Sequence, residues 1–113
     1  MEKLRVLLVD DIGKVRSLLR GGLRRDYIVH TAKNERKALE LLEKYSYDLV
    51  ITDEDLGGET HREGEKVIRE AKKLNYLRPV LAMSRENCER GMLEAGADCF
   101  VFKKELLDYY CLR

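Results

Sequence analysis

The chain has almost no net charge, no long apolar run, no linker and no paired set of cysteines. Each absence removes a class of function. With 22 Lys and Arg against 21 Asp and Glu, the formal charge is +1, which argues against a nucleic-acid binder driven by bulk charge. No run of like charge exceeds a few residues, so no basic or acidic tail extends from the core. No segment approaches the roughly 20 apolar residues that a membrane span needs. Glu2, Lys3 and Arg5 interrupt the N-terminal apolar stretch, which does not read as a signal peptide. Cys88, Cys99 and Cys111 are odd in number and widely spaced. They form no metal or redox motif and read as reduced thiols, with Cys99 in the core. The expectation is a cytoplasmic protein. Its 113 residues read as one domain, with no length for an appended catalytic or DNA-binding module.

What remains is a regular alternation. Short runs rich in Val, Ile and Leu at Leu4–Val9, Tyr27–Thr31, Asp48–Thr52, Pro79–Met83 and Cys99–Phe102 read as strands. Apart from the short second run, they have the look of strands buried on both faces. Helical spacing over Lys14–Arg25 puts Val15, Leu18, Leu19 and Leu23 on one face. Asn34 is placed to cap a second helix with Ala38, Leu41, Leu42 and Tyr45 inward. A third helix to about Leu74 carries Val67, Ile68, Ala71 and Leu74. A short one covers about 87–95, and a last begins at Glu105. Five strand–helix repeats with short connections predict a right-handed, mostly parallel sheet covered on both faces. Gly21 and Gly22 interrupt the first helix, which predicts close packing against the sheet or a local kink.

Four of the five strands end in residues with chemistry: Val-Asp-Asp at 9–11, Ile-Thr-Asp at 51–53, Ala-Met-Ser at 82–84 and Phe-Val-Phe-Lys at 100–103. In a parallel sheet these ends share one edge, where open α/β sheets bind ligands. Adjacent carboxylates at Asp10 and Asp11 repel each other unless a cation holds them, and Mg²⁺ prefers carboxylate oxygen. Asp53 is the candidate nucleophile, because a carboxylate can hold a phosphoryl group as an acyl phosphate. Asp55 is placed to offer its backbone carbonyl to the metal. Lys103 would bring a fixed positive charge to phosphoryl oxygens. The Ser84 hydroxyl would donate to an oxygen present only after modification. Taken singly, each has a plain reading: Asp-Asp as a helix-capping turn, Ser84 as a turn serine, Lys103 as an edge lysine.

Together, Leu-Leu-Val-Asp-Asp, Asp-Leu-Val-Ile-Thr-Asp, Arg-Pro-Val-Leu-Ala-Met-Ser and Ala-Gly-Ala-Asp-Cys-Phe-Val-Phe-Lys resemble the signature segments of response-regulator receiver domains. They stand in the right order over essentially the whole chain. The resemblance implies a single receiver domain over 1–113, with a five-stranded flavodoxin-like sheet of order 2-1-3-4-5. It implies Mg²⁺ at Asp10, Asp11 and Asp53, a phosphoryl group taken by Asp53 from a histidine kinase or phosphotransfer protein, and Ser84 and Lys103 as the hydroxyl and lysine. Ser84 moving toward the phosphoryl group, with Phe100 turning inward, would switch the surface for an output partner or output domain, and a phosphorylation-dependent dimer is one form this output takes. No turnover of external substrates and no direct nucleic-acid or membrane binding is expected.

The chain departs from that pattern in places. The proline usual after the phosphoacceptor is missing, and residues 56–61 form a longer, acidic loop that reads as flexible. Lys104 stands where a proline usually follows the lysine, Arg85 where a small residue is general, and Phe100 where tyrosine is frequent. The segment from Ser84 to Gly96 is about one helical turn short. These departures keep open an interaction module that is independent of phosphorylation. Thr-Asp-Glu-Asp-Leu at 52–56 also superficially resembles the Asp-x-Asp motif of haloacid-dehalogenase-type phosphatases. That motif normally opens its chain with the other acids downstream, whereas here the acidic pair lies upstream.

Overall fold

Apolar runs of four to six residues are too short for helices and too apolar for surface strands, and they form the centre of the molecule. The computed structural model describes residues 3–111; Glu2 and the side chain of Cys111 lie outside the described part. Five strands, β1 (Leu4–Val9), β2 (Tyr27–Ala32), β3 (Leu49–Asp53), β4 (Val80–Ser84) and β5 (Cys99–Phe102), make one sheet of order 2-1-3-4-5. All four neighbouring pairs are parallel. Between and after them run α1 (Gly13–Leu23), α2 (Glu35–Lys44), α3 (Glu63–Leu74), α4 (Glu89–Glu94) and α5 (Lys103–Cys111).

Alternation along β1 divides the core. Val6 and Leu8 join Ile51 and Met83 beneath α1 and α5, with Val15, Leu19 and Leu23. Leu7 and Val9 join Val50 and Ala82 beneath α2, α3 and α4, with Leu42, Ile68 and Met92. The Asn34 side chain accepts a hydrogen bond from Lys37 N at 2.8 Å and caps α2 as expected.

Several sequence expectations change. Cys99 is exposed, because β5 is an edge strand with β4 as its one partner, so this run is not buried on both faces. Leu18 and Leu74 are also exposed. Leu18 looks into a cleft toward Tyr109, and Leu74 is the last residue of α3. Tyr45 packs against the core as expected, but from extended backbone just past the end of α2. The last helix starts at Lys103, directly after β5, and not at Glu105.

Gly22 packs closely, as expected, but against α5 and not the sheet: a Cβ there would stand 2.7 Å from Tyr110 Cβ. A Cβ on Gly21 would meet nothing within 4 Å. Gly21→Ala is therefore expected to stabilise the fold by about 1 kcal/mol, the helix-propensity difference. Gly22→Ala should destabilise it by about 1–3 kcal/mol through overpacking. Urea midpoints of the two variants check the contrast; equal shifts would mean that α5 does not press on α1.

Candidate functional site

Register brings the strand-end residues together. Val9 pairs with Thr52, so Asp10 and Asp53 follow side by side on neighbouring strands. Asp53 pairs with Met83 and Ser84 with Phe102, so Ser84 and Lys103 come one residue further along the same edge. The stagger builds a cavity of about 500 Å³ whose walls include Asp11, Asp53, Ser84 and Lys103.

Lys103 is 2% exposed. Its Nζ donates to Asp53 Oδ2 at 2.7 Å and lies 2.8 Å from Asp10 Oδ2. The first contact is a hydrogen bond. The second is an ion pair outside hydrogen-bonding angles, which leaves the buried Asp10 Oδ2 with no aligned donor. Asp10 Oδ1 accepts from Ile12 N at 2.9 Å, and Asp53 Oδ1 accepts from Glu54 N at 2.9 Å. Burial pushes the Asp53 carboxyl up to about 6, although Lys103 pulls it down. For Lys103 burial works against the charge, yet Asp10 and Asp53 together hold its ammonium above the usual lysine range.

The carboxylates of Asp10, Asp11 and Asp53 each bring one oxygen within 4.8 Å of the others. Three acids face one ammonium, which leaves an excess of carboxylate oxygen among them. A hard, oxygen-only donor set of this kind fits a divalent cation. Ser84 is buried, and its Oγ accepts from Glu86 N at 3.2 Å. Phe100 is half-buried against the core on the α4 side, edge-to-face with Phe102. Asp55 lines the cavity too, but its side chain is turned into the loop, accepting from Gly57 N at 2.9 Å.

The loop after β3 is tied down and does not match the flexible reading. Leu56 is buried in the core, and the Glu63 carboxylate accepts from Leu56 N, Thr60 N, Thr60 Oγ1 and His61 N at 2.7–3.1 Å. Burial alone would raise Glu63, but these hydrogen bonds outweigh it and hold the carboxyl at about 2. Arg62 reaches both oxygens of the buried Glu65, at 2.8 and 3.0 Å. Thr60-x-x-Glu63, a capping-box spacing ahead of a helix, was the available signal for this arrangement.

The chain matches the family described as response regulator receiver domain over residues 6–109. It belongs to that family. Among curated relatives, this receiver is 34% identical over 114 residues to a protein-glutamate methylesterase/protein-glutamine glutaminase of Treponema denticola. The match covers 91% of the chain but 29% of that protein, so the chain spans under a third of its relative's length. A CheY-like response regulator receiver domain protein from Methanospirillum hungatei superposes with TM-score 0.82 at 22% identity, covering 96% of this chain and 90% of that one. A response regulator from Burkholderia pseudomallei, with a phosphorylated aspartic acid, calcium ion and citrate, gives 0.80 at 23%, covering 96% and 66%. These likenesses carry the fold, and the family match makes this receiver a component of two-component signalling. No helix among the described residues is long and apolar enough to cross a membrane.

Proposed function

We propose that Asp53 of this receiver takes a phosphoryl group from a histidine kinase or phosphotransfer protein, and that residues 1–113 act as one switching unit. The observation that carries the reading is Lys103 held between Asp10 and Asp53 on the wall of one cavity. The Burkholderia pseudomallei response regulator, a relative in fold with a phosphorylated aspartic acid and a calcium ion, supports the reading.

Asp10, Asp11 and Asp53, with the Asp55 carbonyl, would hold Mg²⁺, which supplies charge neutralisation between an anionic nucleophile and an anionic phosphoryl group. The residues do the rest. An Asp53 carboxylate oxygen attacks phosphorus while the bond to the donor's histidine nitrogen breaks and its electron pair returns to the ring. Lys103, already within 2.7 Å of Asp53, neutralises a phosphoryl oxygen. Ser84 then gives up its contact with Glu86 N to donate to another, and Phe100 turns into the space left under α4. The changed surface engages an output partner or output domain, with a dimer as one outcome. The reaction consumes one phosphoryl group per acceptor, so the domain is a phosphoacceptor and not an enzyme with external substrates.

Intact mass after incubation with acetyl phosphate tests this. One Mg²⁺-dependent phosphoryl adduct is expected on the wild type and none on Asp53→Asn. The variant should be at least as stable as wild type at pH 7.5. A carboxyl raised in the folded state costs nothing below its ordinary value of 3.8 and destabilises as pH rises through about 6. In Ser84→Ala the adduct should form while the amide signal of Phe100 stays still. Mg²⁺ binding with no adduct on wild type would leave an interaction module independent of phosphorylation.

A further inference from the structure

The loop between β3 and α3 carries a residue that the phosphoryl-transfer scheme does not use. His61 has φ of 59°, the one positive φ outside glycine among the described residues. A side chain in this left-handed region costs energy that the surrounding structure has to offset. Here that support is the Glu63 carboxylate, which accepts from His61 N at 3.0 Å. The imidazole is oriented as well: Nδ1 lies 3.2 Å from Asp55 Oδ2. A carboxylate only accepts, so Nδ1–H donates to it, and in the neutral ring Nε2 is then the acceptor. His61 lines the same 500 Å³ cavity as Asp53, Ser84 and Lys103. A strained backbone, a carboxylate that sets the tautomer and a shared wall with the phosphoacceptor all converge on one side chain.

We propose that His61 is a positioning residue for water, and that it sets how long the acyl phosphate on Asp53 survives. The inference rests on the phosphorylation reading above. Nε2 accepts a hydrogen bond from a water aligned behind the phosphorus. The water oxygen forms a bond to phosphorus and the bond from phosphorus to the Asp53 oxygen breaks. Its electron pair returns to the carboxylate, and both water protons leave on the released dihydrogen phosphate. Asp55 holds the ring, and Glu63 holds the backbone that carries it. The loop that departs from the family pattern thus becomes a timer for the signal.

The experiment follows loss of the phosphoryl adduct by intact mass, after acetyl phosphate is removed, in the full chain with Mg²⁺. His61→Gly suits the positive φ, so it keeps the loop while deleting the ring. It should phosphorylate normally and hold the adduct about tenfold longer, the size expected for losing an oriented water. Added imidazole should shorten that lifetime again, and His61→Gln, which keeps an acceptor, should stay within about threefold of wild type. A purely structural histidine would show neither rescue. Unchanged lifetimes in His61→Gly, with normal adduct formation, would overturn the timer and leave the phosphoacceptor reading standing. No adduct in any form, wild type included, would overturn the phosphoacceptor reading on which the timer rests.

Discussion

Gly64→Ala is expected to lower the unfolding free energy by about 3 kcal/mol, the upper end of overpacking effects. Ordinary helix propensity points the other way, since alanine is favoured over glycine by about 1 kcal/mol inside a helix. Gly64 is the second residue of α3, and its N donates to Glu54 O at 2.8 Å. A Cβ there would overlap the carbonyl oxygen of Asp53 and stand 2.8 Å from Asp53 C and Glu54 Cα. These are backbone atoms, so no rotamer change relieves the overlap. Either α3 moves out or the end of β3 moves, and Asp53 moves with it. A displacement of about 1 Å in a reacting group can cost about a hundredfold in rate. Phosphoryl uptake from acetyl phosphate should therefore fall by a similar factor even in the molecules that fold. Urea denaturation gives the first number and the rate of adduct formation the second. A variant with wild-type midpoint and wild-type uptake would show that α3 does not dock on the phosphoacceptor strand as described.

Glu63→Gln should cost about 2–3 kcal/mol at neutral pH, as hydrogen bonds to a charged acceptor are worth more than neutral ones. Both carboxylate oxygens face donors: Oε1 takes Leu56 N, and Oε2 takes Thr60 N, Thr60 Oγ1 and His61 N. An amide nitrogen on either side would set donor against donor. The same carboxylate gives the fold an acid signature. Its folded value of about 2 lies below the ordinary 4.5, so its contribution is fully present above pH 4.5 and is lost as pH falls toward 2. Integrated over about 2.5 units, that is about 3 kcal/mol. Wild type should lose this much more stability than Glu63→Gln between pH 5 and pH 2, and the two curves should converge at the acid end. Parallel curves would place the acid sensitivity elsewhere.

Much of the candidate site was legible because it sits at strand ends. Asp10, Asp53 and Ser84 each follow an apolar run, and period alone locates such runs to within a residue or two: β1 and β5 have the expected bounds, while β3 and β4 each run one residue later. The parts that were not legible depend on partners distant in the chain. Glu63 was given no role from the sequence, and its four donors become visible only when the loop is closed. Cys99 looked apolar and interior, yet strand order puts it on an edge. Gly22 signalled close packing, but its partner, Tyr110, lies 88 residues further along the chain.

The sequence by itself determined the strands, the alternation with helices and the chemical identity of the strand-end residues, because these follow from local periodicity and residue type. Tertiary structure decided which of those residues meet. Pairing register, a property of two chains of backbone at once, sets Asp10 beside Asp53 and brings the Lys103 ammonium, 50 positions away, within 2.7 Å of Asp53. Burial of that cluster then raises the Asp53 carboxyl, and a charge balance across three strands cannot be read from any one of them.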